Sequence, residues 1–106
     1  MRLSGVIPSY NEAEKIIKNL DSIRDYLSGQ SYDWEVIIVN DGSTNSTAEM
    51  VGDFIKSNSG FRLIDNKKNR GKGYVVRQGM LEAKGDLRLF VDADGSTSID
   101  HLDKFM

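Results

Sequence analysis

The sequence is poor in the residues that carry most metal and redox chemistry, with no cysteine and a single histidine in 106 residues. The lack of cysteine excludes disulfide bonds and thiolate metal sites, and it is compatible with a reducing compartment. His101 is alone on a predicted helix, so we interpret it as structural or solvated. The only proline is Pro8.

Long apolar runs and an excess of one charge are also missing. No run approaches the roughly 20 apolar residues that span a bilayer, and "LSGVI" near the start is too short for a signal-peptide core. The net charge of −2 gives no global electrostatic case for nucleic acid or an anionic membrane. Hydrophobic and charged contents of 39% and 28% are ordinary for a soluble domain, and the length suits one core. We therefore expect a cytoplasmic protein without a nucleic-acid partner.

Four short apolar runs alternate with helical patterns along the chain. The runs that predict strands are 2–7, 34–40, 61–65 and 86–92. The second, "WEVIIVN", has the composition of a strand covered on both faces. Alternation at this spacing predicts an α/β fold, a Rossmann-like and mostly parallel sheet with helices on both faces.

The helices are predicted from apolar residues spaced three or four apart. The expected buried faces are Ile16, Leu20, Ile23 and Leu27 in the first helix, Val51, Phe54 and Ile55 in the second, and Val76, Met80 and Ala83 in the third. Another helix is predicted to start at "SIDHLDKFM". The predicted order is therefore four strands, each followed by a helix.

The polar segments that follow the strands carry nearly all the unusual chemistry of this sequence. They are "PSYNE", "NDGST", "DNKKNRGKG" and "DADGST". In parallel α/β sheets, ligands bind beyond the carboxyl ends of the strands. The sequence therefore predicts one site built from these four segments.

Asp92 and Asp94 follow the last apolar run. Two residues apart in extended chain, their side chains leave on the same side, roughly 7 Å apart. Carboxylates without histidine or cysteine suit hard ions such as Mg²⁺ or Mn²⁺, which also take phosphate oxygens as ligands. The alternative is a solvated turn that contains Asp94 and Gly95.

The segment "NRGKGYVVR" combines basic side chains with two glycines. Gly71 and Gly73 let backbone N–H groups approach a phosphate, and the following helix offers its positive end. It is not a P-loop, since Lys72 is not followed by serine or threonine, and it lacks the third glycine of a dinucleotide fingerprint. The alternative is a basic surface loop.

The first two polar segments offer groups that suit a nucleoside. Asp41 could accept hydrogen bonds from a ribose hydroxyl or a base N–H, or it could form a turn or helix cap with Gly42 and Ser43. Tyr10 could lie against a flat ring and Glu12 near a sugar hydroxyl, although Glu12 also fits a helix-capping role. Together, the four segments provide what a nucleoside diphosphate with a divalent ion requires.

The motifs "VIPSYNE", "VIIVNDGSTNST", "NRGKGYVVRQGM" and "LFVDADGST" resemble, in order, those of inverting family 2 glycosyltransferases with the GT-A fold. Within that family they are most similar to the dolichyl-phosphate glucose and mannose synthase type. The resemblance covers essentially the whole chain. It implies a UDP- or GDP-sugar donor, a lipid-phosphate or glycan acceptor such as polyprenyl phosphate, and Mg²⁺ or Mn²⁺.

The resemblance also implies roles for residues at matching positions. Asp41 would contact the base or ribose, and Asp92 would face the ribose or the metal. The other implied roles are a nucleoside pocket lined by Pro8, Tyr10 and Glu12, a loop close to the nucleotide at Gly71 and Lys72, and a main metal ligand at Asp94.

Family members carry the catalytic base and acceptor site after the Asp-x-Asp strand, so the resemblance places both beyond Met106. Because the catalytic domain of the family is roughly twice this long, we expect residues 1–106 to be its donor-binding half, able to bind nucleotide but not to turn over. We further expect self-association through a bare sheet edge, and a full-length protein at the cytoplasmic face of a membrane.

Two rival functions remain at this stage. A haloacid-dehalogenase-type phosphatase would use Asp92 as nucleophile and Asp94 as acid/base. However, that motif normally lies on the first strand and has threonine where this chain has Ser96. The other rival is a non-catalytic module that binds nucleotide or a partner.

Overall fold

The computed structural model describes residues 2–10, 13–42, 47–85 and 87–90. Its strands are β1 (Arg2–Ser9), β2 (Asp33–Asp41), β3 (Phe61–Asn66) and β4 (Leu87–Phe90), and its helices are α1 (Ala13–Ser28), α2 (Thr47–Ser57) and α3 (Lys72–Glu82). The strands form one sheet in the order β3-β2-β1-β4, and each neighbouring pair is parallel. The predicted parallel α/β fold is thus confirmed. The helix predicted from "SIDHLDKFM" lies outside the described residues.

Strand β2 lies inside the sheet and is covered on both faces, as its apolar composition predicted. Val36 and Ile38 belong to the core on one face, whereas Ile37 and Val39 belong to the core on the other. All four side chains are at most 1% exposed. Successive residues of a strand point to opposite faces, so a run of β-branched residues fills two cores at once.

Helices α1 and α2 cover the first face of the sheet. The apolar residues of α1 that recur every three or four positions are all buried, namely Ile16, Leu20, Ile23 and Leu27. In α2, Val51 and Phe54 are buried and Ile55 packs against the same core. Phe54 meets Phe61 of β3 edge to face, with 5.0 Å between ring centroids. The predicted faces of both helices are confirmed.

Helix α3 covers the other face, but in a different rotation from the predicted one. Val75, rather than Val76, is fully buried, and Met80 is only half-buried. The reason is Gly79, because a Cβ there would overlap with Val6 and lie 3.1 Å from Val39 Cγ2. The helix thus approaches the sheet most closely at a residue without a side chain, which apolar periodicity does not register. Of the predicted stripe, only Ala83 is buried.

The buried carboxylate of Glu35 connects the end of α3 to the amino-terminal end of the sheet through hydrogen bonds. Glu35 on β2 accepts hydrogen bonds from Ser4 Oγ at 2.6 Å and from the Lys84 N–H at 2.7 Å. Ser4 Oγ in turn accepts the Gly85 N–H at 2.7 Å, and the Arg62 guanidinium lies 3.2 Å from the other carboxylate oxygen. These contacts fix the connection between α3 and β4, the strand that leads toward Asp92.

Among the described helices, none has both the length and the apolar content needed to cross a bilayer.

Candidate functional site

The carboxyl ends of three strands meet at one edge of the sheet. In the parallel register Ser9 of β1 lies opposite Asn40 of β2, and Asn40 lies opposite Asp65 of β3. The polar segments that follow these strands therefore begin side by side. This edge, formed by residues 8–10, 40–42 and 65–71 with the start of α3, is called the carboxyl edge below.

Asp41, the last residue of β2, is buried at 4% exposure and connects this strand to the glycine-containing loop. Its Oδ1 accepts the backbone N–H of Arg70 at 2.5 Å, and its Oδ2 accepts that of Gly71 at 3.0 Å. The Asn69 side-chain amide donates to the Asp41 carbonyl oxygen at 3.3 Å. Asp41 thus binds the loop in front of α3 through both side chain and backbone.

Gly42 allows the same loop to lie against the end of β2. Its φ of +69° is in the left-handed region, which residues with a Cβ rarely adopt. A Cβ there would lie 2.6 Å from the Lys68 carbonyl carbon and would overlap with the Asn69 nitrogen. Both conformation and space therefore require glycine.

The start of α3 carries the two predicted phosphate-loop residues. Gly71, with φ +94°, precedes the helix and supplies no side-chain cap, and Lys72 is its first residue. The Arg70 guanidinium lies 5.7 Å from the centroid of the Tyr74 ring, and Tyr74 is 51% exposed. The helix therefore points its positive end, with a cation and an exposed aromatic ring beside it, toward the carboxyl edge.

Three side-chain pairs that sequence reasoning missed stabilise this edge. Asp65 accepts hydrogen bonds from Lys67 Nζ at 2.8 Å and Asn40 Nδ2 at 2.7 Å, and these two bonds lower the pKa of its carboxyl group below the ordinary value of 3.8. The Asn66 and Gln78 amides exchange two hydrogen bonds, of 2.7 and 3.2 Å, which link β3 to α3. Position at a strand end was the sequence signal for Asn40, Asp65 and Asn66, whereas Gln78 lies within α3.

The nucleoside side of the edge begins at the end of β1. Tyr10 follows the strand and is 45% exposed, so its ring is available to a ligand. Pro8 is half-buried, and Ser9 is buried, with no hydrogen-bond partner for its Oγ among the described residues. The predictions for Glu12, Asp92 and Asp94 fall on residues outside the described ones. Within the described ranges, no three acidic or histidine side chains are grouped as metal ligands.

Comparison with known proteins agrees with this arrangement. Residues 4–106 match the family described as glycosyl transferase family 2. The chain belongs to that family. A haloacid-dehalogenase-type phosphatase is therefore not retained. A curated relative, dolichyl-phosphate beta-glucosyltransferase ALG5C of Trichomonas vaginalis, is 41% identical over 104 residues. The match covers 93% of this chain and 31% of that protein.

Solved structures of glycosyltransferases share the fold. The mannosyltransferase PcManGT of Pyrobaculum calidifontis, in complex with GDP-Man and Mn²⁺, superposes with a TM-score of 0.77 at 28% identity, over 87% of this chain and 27% of that one. Glucosyl-3-phosphoglycerate synthase of Mycobacterium tuberculosis, in complex with Mn²⁺, UDP and its product, gives a TM-score of 0.68 at 28% identity, over 86% of this chain and 33% of that one. This chain thus spans between 27% and 33% of the length of these three proteins.

Proposed function

We propose that this chain is the donor-binding part of an inverting glycosyltransferase that moves glucose from a nucleoside diphosphate to a polyprenyl phosphate such as dolichyl phosphate. The observation that carries the proposal is the 41% identity to a dolichyl-phosphate beta-glucosyltransferase over 93% of the chain. The carboxyl edge supports it, because the exposed Tyr10 ring follows β1 and the basic glycine loop follows β3, on either side of the end of β2.

The residues at this edge divide between the two ends of a nucleotide. In our proposal, Pro8, Tyr10, Glu12 and Asp41 contact the nucleoside. Gly71 and Lys72 lie close to the diphosphate, where the start of α3 contributes its positive end. This assignment follows the order of the segments along the edge, since Tyr10 directly follows β1 and the loop after β3 leads into α3.

A divalent ion fits the donor set that follows β4. Asp92 and Asp94 supply only carboxylate oxygens, the ligands that Mg²⁺ and Mn²⁺ prefer, and both solved relatives described above contain Mn²⁺. When bound, such an ion neutralises the charge that develops on the departing diphosphate. Asp94 is proposed as the main ligand, and Asp92 as a ligand or a ribose contact.

The acceptor site and the general base are proposed to lie beyond Met106. The 106-residue chain is then expected to bind the donor nucleotide without transferring sugar. A non-catalytic nucleotide-binding module would bind the nucleotide in the same way. The glycosyltransferase and the non-catalytic module therefore differ in one measurable property, namely whether the protein that contains this chain transfers glucose to polyprenyl phosphate. Action on a lipid acceptor also supports a location at the cytoplasmic face of a membrane.

Calorimetric titration of the chain with UDP and GDP, each with and without Mn²⁺, tests the donor assignment. Metal-dependent binding of one nucleotide is expected, and its identity names the donor class. Asp94→Ala should abolish this binding, whereas Asp53→Ala, which removes an exposed acid of α2, should not. Binding that is indifferent to both Mn²⁺ and Asp94→Ala would refute the metal assignment.

A further inference from the structure

We propose that Asp41 is a positioning residue, whose carboxylate holds the backbone of Arg70 and Gly71 and thereby sets the loop that faces the diphosphate. The ligand in this inference rests on the proposed function. The role itself goes beyond that function. Through the loop, Asp41 affects the phosphate end of the site, and this effect does not depend on its proposed contact with the nucleoside.

Both carboxylate oxygens of Asp41 are occupied by this chain without any ligand. Oδ1 takes the Arg70 N–H and Oδ2 takes the Gly71 N–H, at 2.5 and 3.0 Å. The side chain is buried, so these bonds form away from competing water. Each oxygen keeps a second lone pair. A nucleoside N–H would therefore be an additional partner of a carboxylate already committed to the loop.

The carboxylate also lies beside the start of α3, which has no side-chain cap of its own. Gly71 precedes the helix and has no side chain to accept an N–H. Asp41 supplies a negative acceptor to the residues just before the first turn, from a different strand. Negative charge at this end is favoured by the helix dipole, and capping side chains are normally local. Asp41 thus sets the position of both the loop and the start of α3.

A second contact reaches the same loop independently of the carboxylate. The Lys68–Asn69 backbone packs where a side chain of Gly42 would otherwise be. Gly42→Ala should therefore displace the loop while Asp41 stays intact. If loop position governs diphosphate affinity, this substitution and the loss of the Asp41 carboxylate must both weaken the binding of diphosphate.

Amide hydrogen exchange of the chain without ligand, followed by NMR, tests the contact itself. Asp41→Ala removes both acceptors and Asp41→Asn keeps one, so we expect exchange of the Arg70 and Gly71 amides to accelerate in the order wild type, Asp41→Asn, Asp41→Ala. The acceleration should be at least about tenfold in Asp41→Ala, since ten-fold corresponds to about 1.4 kcal/mol and two charge-assisted bonds exceed that. The Val36 amide, bonded to the Gly60 carbonyl at 2.8 Å at the other end of β2, reports global opening. Unchanged exchange at Arg70 and Gly71 would overturn the proposal.

Titration with two ligands separates positioning from nucleoside contact. In the presence of Mn²⁺, Asp41→Asn and Gly42→Ala are each expected to weaken inorganic diphosphate by about tenfold or more, and to weaken UDP at least as much. Asp53→Asn, which removes the same charge from an exposed site on α2, should change neither. Weaker UDP binding with unchanged diphosphate binding in Asp41→Asn would overturn the proposal and leave Asp41 with the nucleoside contact alone.

The two assays also separate this inference from the proposed function. If the wild-type chain binds neither ligand nor GDP, the donor-site assignment fails. Exchange at Arg70 and Gly71 still decides whether Asp41 positions the loop, because that measurement requires no ligand.

Discussion

Replacement of Glu35 should reveal how strongly a buried carboxylate stabilises this fold. The side chain is 5% exposed, and its Oε2 accepts both Ser4 Oγ and the Lys84 N–H. Glu35→Gln can keep both bonds through its amide oxygen, but as neutral bonds. Hydrogen bonds to a charged group contribute about 1.5–3 kcal/mol and neutral ones about 0.5–1.5 kcal/mol. A loss of about 2 kcal/mol in the free energy of unfolding is therefore expected.

Glu35→Ala should cost more, because it leaves the Lys84 N–H without its acceptor and opens a cavity beside Ser4. We expect about 3–5 kcal/mol, a large share of the 5–15 kcal/mol that is typical of a domain. The Arg62 ion pair contributes little to this free-energy difference, because the Arg62 side chain is 43% exposed and solvent weakens the pair. Urea unfolding at pH 7 measures both variants, with Asp53→Ala on the exposed face of α2 as the control.

The dependence of these differences on pH gives the sharper test. Burial raises the pKa of Glu35. The hydrogen bonds from Ser4 and Lys84 and the charges of Arg62 and Arg2 lower it by more in total, so the net pKa is below the ordinary 4.5. The carboxylate therefore stabilises the fold fully above about pH 4.5, and this contribution is lost as the pH falls through the folded-state pKa. The gap between wild type and Glu35→Gln should shrink below pH 4.5. A gap that stays constant from pH 7 to pH 3 would refute the reasoning.

Two further predictions concern α3 and the carboxyl edge. Gly79→Ala should destabilise the protein by about 1–3 kcal/mol in urea unfolding, because its Cβ would overlap with Val6. The matched Gly52→Ala in α2, where a Cβ meets nothing within 4 Å, should stabilise it by about 0.5–1 kcal/mol; equal effects would contradict the close approach of α3. Lys67→Ala should raise the pKa of Asp65 toward 3.8 in an NMR titration, since the Lys67 hydrogen bond is the first cause of its lowering. An unchanged pKa would show that this ion pair does not form in solution.

The sequence predicted those parts of the fold in which burial follows a simple period. The spacing of Ile16 and Leu20 identified the buried face of α1, and the β-branched run of β2 indicated two covered faces. The rotation of α3 was mispredicted because its closest contact is Gly79, and a glycine contributes nothing to an apolar stripe. Periodicity records which side chains are apolar, not where two backbones come together.

The candidate site was predictable in place but not in contacts. The ends of parallel strands share one edge, so the position of Asp41 beside the glycine loop followed from topology. Its hydrogen bonds to Arg70 and Gly71 did not, because they join residues 29 and 30 positions apart through a loop whose path no local pattern specifies. The Glu35 network was missed for the same reason, since Lys84 is 49 positions away.

The two missed contacts have a common physical origin in strand β2. Glu35 and Asp41 are six positions apart, so both side chains leave the strand toward the face that carries α3, with Ile37 and Val39 between them. Six strand residues span about 20 Å, close to the roughly 16 Å of an eleven-residue helix. Glu35 binds the N–H of Lys84, just after α3, and Asp41 binds those of Arg70 and Gly71, just before it. One strand thus fixes both ends of a helix whose own apolar pattern is weak. Since the first end carries the loop proposed to face the diphosphate, strand β2 sets the position of that loop relative to the sheet.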